Sequence, residues 1–194
     1  MSLPMQNLAH FLFEVGMLKR TPRTGFQFLG SGAESVAEHS FRTAMIGYTL
    51  AQLDGEADAG RVVLICLFHD LPEARTGDQN YVHKKYVQTD EAKAVEDLAA
   101  NLPFGDDYRS LWQEFVAKQS RESLLAHDAD QLEMILALKE YKDLGNRYAD
   151  EWYPFCRDRL QTDAAKELAE TIWVTDSSRW WFDDDREWWI KGER

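Results

Sequence analysis

Residues 68–78, Phe-His-Asp-Leu-Pro-Glu-Ala-Arg-Thr-Gly-Asp, crowd ionisable side chains where an apolar run meets a turn. His69 and Asp70 are adjacent, Glu73 follows, and Asp78 comes after Gly77. An adjacent His-Asp pair is weak evidence of a metal site by itself, so the rest of the chain must supply partners. His39 stands in SVAEHS and Asp130 in HDADQLEM, each on a segment with helical apolar spacing. Together with His69 and Asp70 they form a set of two imidazoles and two carboxylates. Nitrogen and carboxylate ligands suit manganese, cobalt, iron, nickel or zinc better than a soft, thiolate-bound ion. Two carboxylates balance a dication, which offsets the desolvation of a buried cluster. Four protein ligands on a six-coordinate ion leave room for water and a substrate oxygen. His127-Asp128 is a second His-Asp pair just before Asp130, and the residues alone do not choose between the two aspartates.

These side chains need elements to carry them. Apolar residues recur at helical spacing over 3–18, 34–53, 58–69, 89–101, 107–118, 121–144, 148–160 and 162–174. Ser35 stands at or near the cap of the second helix. The third, 58–69, is strongly apolar and so central. Pro72 can open a short helix in its first turn, where a missing N–H is harmless. Residues 19–33 and 76–88 read as loops, and Gly145 ends the long helix. No segment alternates with a period of two and no repeat is visible, so the fold class is all-α. Residues 1–175 read as one domain, and 176–194 as an aromatic and acidic extension. Its tryptophans (Trp180, Trp181, Trp188, Trp189) are expected to pack on the domain or a partner copy, because so much aromatic area is rarely left in water.

The 194 residues can bury a real core. Net charge is −12, from 22 basic and 34 acidic residues, which works against binding a nucleic-acid polymer or an anionic membrane. A small anion remains possible if a few basic residues converge in one cleft. Cys66 and Cys156 do not make a disulfide framework, which points to a reducing compartment. The longest apolar run, 62–68, is too short to span a bilayer, and the N-terminus lacks a signal-peptide layout. A cytoplasmic protein is the expectation.

The order His39 … His69-Asp70 … Asp130 resembles the H…HD…D signature of the HD-domain metal-dependent phosphohydrolases. KRTPRTG at 19–25, SVAEHS at 35–40, HDLPEARTGD at 69–78 and ADQLEMILALKEYKDL at 129–144 are similar to segments of its 5′-deoxynucleotidase branch, including the YfbR-type bacterial members. The resemblance implies an HD-domain helical bundle, usually a homodimer, that removes phosphate from deoxyribonucleoside 5′-monophosphates. It implies one divalent transition metal ion, cobalt or manganese first, with zinc, nickel, iron or magnesium as alternatives. It selects Asp130 as the ligand, because the metal aspartate of the family precedes a run like QLEMIL.

Glu73 lies four residues from His69 and three from Asp70, so a backbone helical across Pro72 would bring its carboxylate to their side. There it could act as general base on a water, the role the resemblance assigns it. The plainer reading is an acidic first-turn residue favoured by the helix dipole. For Asp78 the plain reading is a turn residue after glycine. The resemblance has it read the sugar near C2′ and C3′, or help Glu73 hold a second cation. Arg20 and Arg23 are candidates for the phosphate, which a guanidinium fork fits well; Lys84 and Lys85 are weaker ones. The family pattern places an arginine before an aromatic and a proline. Here the segment is Arg20-Thr21-Pro22, and Thr21 removes the stacking surface.

Two rivals keep their place. An HD phosphodiesterase or nucleoside-triphosphate hydrolase would bring extra histidines or longer basic segments, and neither is evident. An idle helical interaction module would lack a ligand or the Glu73 position, and neither is missing.

Overall fold

The computed structural model describes residues 3–182 and 186–192. Eleven α-helices occur among them: α1 Leu3–Val15, α2 Phe26–Leu29, α3 Val36–Asp54, α4 Ala59–Phe68, α5 Glu73–Thr76, α6 Glu91–Ala99, α7 Gly105–Ala117, α8 Arg121–Asp143, α9 Ala149–Arg157, α10 Asp163–Val174 and α11 Arg186–Lys191. Short 3-10 turns cover Gly16–Lys19 and His83–Lys85. The one pairing of extended chain among the described residues is an isolated bridge between Pro22 and Ser35. The fold is all-α, and no described helix is long and apolar enough to cross a membrane.

Local chemistry fixes most helix starts. Ser35 opens α3 through a capping box: its hydroxyl accepts from the Glu38 N–H, and the Glu38 carboxylate accepts from the Ser35 N–H at 2.7 Å. Asp58, Asp90, Ser120 and Thr162 each accept from a first-turn N–H of α4, α6, α8 and α10. Two expected loops contain short helices. Phe26–Leu29 closes a turn because Phe26 and Leu29 are buried, and burial overrides a glycine-rich composition.

Helices α3, α4 and α8 pack on one another and carry the core, joined by α9 and α10. Leu50, Val62, Ile65, Leu132 and Ile135 are fully buried there. A second cluster around Val36, Leu71, Val95 and Tyr108 joins α1, α6 and α7 to the first. Gly47 lets α3 approach α4: a Cβ at this position would lie 2.7 Å from Cys66 Sγ and 3.0 Å from Val62 Cγ1. Both cysteines are buried and free.

The tail begins with the Ser177 N–H donating to Asp143 at 2.9 Å. Beyond it Trp181, Phe182, Trp188 and Trp189 meet largely edge to face, while Trp180 stays exposed. The acidic run Asp183–Asp185 lies outside the described residues.

Candidate metal centre

Each candidate ligand owes its place to a helix end or face. His39 sits one turn into α3 and is fully buried. Helix α4 stops at Phe68 because Pro72 cannot donate a helical N–H and disfavours helical geometry at Leu71. His69 and Asp70 therefore stand at the frayed end of α4. Pro72 takes the N-cap of α5, one position earlier than the sequence suggests, and Glu73 becomes the first residue of α5. Gly77, at φ 71°, ends that single turn in a conformation costly for other residues and turns the chain toward Asp78. Asp130 projects from the middle of α8.

These elements bring His39, His69 and Asp70 into one group and set Asp130 against His39. His39 Nε2 lies 3.2 Å from an Asp130 oxygen and 3.4 Å from Asp70 Oδ2, and His69 Nε2 lies 3.2 Å from the same Asp70 oxygen. His39, His69 and Asp70 each offer a ligand atom within 4.8 Å of the others. Both Nε2 atoms are buried without a hydrogen-bond partner. Their opposite nitrogens are fixed: His69 Nδ1 faces the Cys66 carbonyl at 2.8 Å, and His39 Nδ1 faces Glu133 Oε2 at 2.7 Å.

Electrostatics point the same way. Burial and the Arg23 charge would lower the pKa of His39, but the Asp130 and Glu133 carboxylates on either side of its ring raise it to about 10. Burial, with the charges of Asp70 and Asp78, lifts Glu73 to about 9 and leaves its Oε2 without a partner. Burial also works against the charged form of Asp70, yet His69, His39 and Arg23 hold it down at about 2. Carboxylates here outnumber the cations, and protons make up the balance. A dication flanked by two imidazoles and two carboxylates would supply the missing charge, so the donor set fits one.

Asp128, two residues from Asp130, is fully buried and engaged elsewhere. It accepts from the Gln161 N–H at 2.7 Å, the Thr162 N–H at 2.8 Å and the Thr162 hydroxyl at 2.6 Å, tying α8 to the start of α10. His127 stacks on Phe115 at 3.8 Å and bonds its carbonyl at 2.7 Å. The second His-Asp pair is thus turned away from His39.

A cavity of about 880 Å³ opens over this cluster. Arg23, His69, Asp70, Glu73, Asp78 and Asp130 line one part of it, and Trp112, Phe115, Met134, Trp152 and Phe155 line another. Arg23 Nη1 lies 3.6 Å from Asp70 and 3.7 Å from Asp78, and burial leaves little of its side chain in water. Asp78 is braced by the Thr24 N–H at 2.5 Å and hydroxyl at 2.8 Å, which pins the Arg23 loop beside it. Lys84 and Lys85 line the cavity from exposed positions. Arg20, paired with Arg23 in the sequence reading, is exposed and lines none of the cavity. It follows a 3-10 turn whose buried residue is Leu18, and its side chain is left in solvent.

Sequence reasoning missed Glu133 and Arg42. Glu133 sits three positions after Asp130, so both project from the same side of α8, a spacing that could have flagged it. Arg42 holds its other oxygen through Nη2 at 2.6 Å and Nε at 2.9 Å.

Comparison with known proteins gives the same picture. The HD domain family model matches residues 15–173. The 5′-deoxynucleotidase HDDC2 of Bos taurus is 34% identical over 148 residues, covering 73% of this chain and 71% of that protein. A 5′-deoxynucleotidase of Citrobacter koseri is 29% identical over 154 residues, covering 71% of this chain and 73% of its own length. Among solved structures, a conserved hypothetical protein of Pyrococcus furiosus superposes with a TM-score of 0.72 at 31% identity, over 84% of this chain and 98% of that one. An HD domain implies a divalent metal ion, and residues able to hold one are grouped here. The chain belongs to the HD-domain family and is a homologue of those 5′-deoxynucleotidases.

Proposed function

We propose that this protein is a metal-dependent phosphohydrolase that removes phosphate from deoxyribonucleoside 5′-monophosphates. The observation that carries the reading is the pair of buried, unpartnered imidazole Nε2 atoms, each within 3.4 Å of an aspartate oxygen at the floor of an 880 Å³ cavity. Two homologues named as 5′-deoxynucleotidases support the substrate class.

His39, His69, Asp70 and Asp130 would hold the ion; this nitrogen and oxygen set suits a divalent transition metal, and the resemblance to the 5′-deoxynucleotidases puts cobalt or manganese first. When bound, the ion supplies charge for the phosphate oxygens and makes water a stronger acid. Arg23 reaches the phosphate with its guanidinium fork, already held between Asp70 and Asp78. Lys84 and Lys85 add positive charge at the rim. Burial and the Asp70 and Asp78 charges hold Glu73 protonated, and the positive charge of a bound ion would offset them. The ionised Glu73 carboxylate takes a proton from the attacking water as its oxygen bonds to phosphorus. The bond from phosphorus to O5′ breaks, and the departing alkoxide receives the proton that Glu73 took from the water. The transition state is loose, so positioning and charge matter more than covalent help.

Asp78 lines the cavity with one oxygen engaged by Thr24 and the other 3.7 Å from Arg23 Nη1. A carboxylate there would crowd and repel a 2′-hydroxyl, which favours deoxyribose. The aromatic part of the cavity offers apolar faces for a base.

A phosphate-release screen tests the reading. Deoxyribonucleoside monophosphates, ribonucleoside monophosphates, a cyclic nucleotide and a deoxynucleoside triphosphate are each offered with Co2+ or Mn2+. Release from the deoxy monophosphates above all others is expected. Preferential turnover of the cyclic nucleotide or the triphosphate would move the protein to another HD activity, and none at all would favour an idle module.

A further inference from the structure

Behind His39, away from the cavity, lies a network that no step above uses. Glu133 is fully buried on α8. Its Oε2 meets His39 Nδ1 at 2.7 Å, and its Oε1 receives both Nη2 and Nε of Arg42 at 2.6 and 2.9 Å. Arg42 is held in turn by Glu140 at 2.7 Å, and Glu34 lies 3.6 Å from Nη2. Glu34, His39 and Glu133 also have the spacing of a metal cluster. The Arg42 guanidinium already supplies the positive charge there, so a second ion is not needed.

We infer that Glu133, anchored by Arg42, is a positioning residue that keeps the proton of His39 on Nδ1 and so leaves Nε2 free to bind the ion. The chemistry is specific. An ion at Nε2 replaces any proton there, and the neutral imidazole that remains carries one N–H, which must sit on the other nitrogen. A carboxylate can only accept, so it stabilises the tautomer with hydrogen on Nδ1. Arg42 occupies the other oxygen with two donors and prevents the carboxylate from turning. His69 achieves the same end with a neutral acceptor, the Cys66 carbonyl at 2.8 Å. The two imidazoles are therefore oriented by different means, and only that of His39 is open to side-chain substitution.

Glutamine at position 133 meets a conflict that glutamate does not. Its single oxygen is claimed by Arg42 through two donors. Its amide nitrogen then faces His39 Nδ1, donates to it, and drives the imidazole hydrogen onto Nε2. Removing Arg42 releases the amide to rotate and accept from Nδ1 again.

The inference rests on His39 being a metal ligand, as proposed above, but its test needs no nucleotide. Co2+ affinity is measured by isothermal titration calorimetry on the metal-free full chain, on Glu133→Gln and on Glu133→Gln/Arg42→Met. The first variant is expected to bind Co2+ about 10–100-fold more weakly than the parent, the usual effect of losing such a partner. The double variant is expected to recover most of that loss, although it removes a further ion pair. A residue that merely supports the fold would make the double variant worse than the single one. The inference is overturned if Glu133→Gln binds Co2+ like the parent, if the double variant binds no better than the single one, or if the parent takes up no Co2+. A parent that binds Co2+ but releases no phosphate from any deoxynucleotide would sink the activity and leave this inference standing.

Discussion

Asp128 and Asp130 are two positions apart on one helix, and their surroundings separate them. Asp130 faces His39 at 3.2 Å, while both oxygens of Asp128 are taken by the backbone and hydroxyl donors that open α10. Asp130→Ala is expected to abolish metal uptake with little change in the thermal midpoint of the metal-free protein. Asp128→Ala should keep the metal but lose about 1–3 kcal/mol of stability, because buried donors are left unsatisfied. Metal analysis and thermal unfolding of both variants check this, and the reverse pattern would show the ligand is misassigned. Glu73→Gln should keep the metal and lose about 100- to 10,000-fold in kcat, the range for general-base catalysis. Undiminished turnover would remove Glu73 from the mechanism. At this scale the sequence was informative where a residue type is rare in its setting. Adjacent His69 and Asp70 beside an apolar run attract notice. Glu133 does not, because a glutamate in a long helix is ordinary until its burial is known. Arg20 and Arg23 were indistinguishable by type, and the bend of the loop, with its Thr24–Asp78 bonds, brings only Arg23 to the cavity.

Helices deliver these side chains only if their axes come close. Gly47 sits where α3 meets α4, two turns beyond His39, and an added Cβ would press on Cys66 Sγ at 2.7 Å. Gly47→Ala is expected to lose about 1–3 kcal/mol, the usual overpacking effect, and to weaken metal binding by separating His39 from His69. Adding Cys66→Ala removes the obstructing sulfur and should restore both. Denaturant unfolding and metal titration of the two variants read this out, and a Gly47→Ala protein with unchanged stability would refute the close-packing account. The long helices were legible because their apolar periodicity is strong and their caps are explicit, as with Ser35 and Glu38. The short ones at Phe26–Leu29 and His83–Lys85 were not, since a single turn offers no periodicity to read. Pro72 announced a break after α4, yet its position at the cap rather than inside the next helix depends on how Leu71 packs into the second core cluster.

The molecule as a whole carries a net charge of −12, yet Arg23, Lys84 and Lys85 all line its cavity. That placement draws on segments distant in sequence, so composition could state that a local basic cluster was needed but not where it would form. The aromatic walls show the same limit. Trp112, Trp152 and Phe155 come from α7 and α9, and nothing in their local sequence marks them as neighbours of His69. The tail joins the body at Ser177 and Asp143, after Trp173 has stacked on Tyr153 at 4.0 Å. All proposed ligands and cavity residues lie before it. A chain ending at residue 175 is therefore expected to fold, with a thermal midpoint near that of the full chain and the same metal affinity. Loss of metal binding in that shorter chain would show that the tail is part of the site rather than an extension.

On the proposed reading, four side chains from three helices hold one divalent ion, and phosphate release depends on it. The most direct test of that reading is a titration of the metal-free protein with Co2+ while phosphate release from a deoxynucleoside monophosphate is followed. Activity should rise from background and level off at one ion per chain, and a chelator should return it to background. Release that proceeds equally without metal, or a plateau unrelated to ion occupancy, would contradict the account.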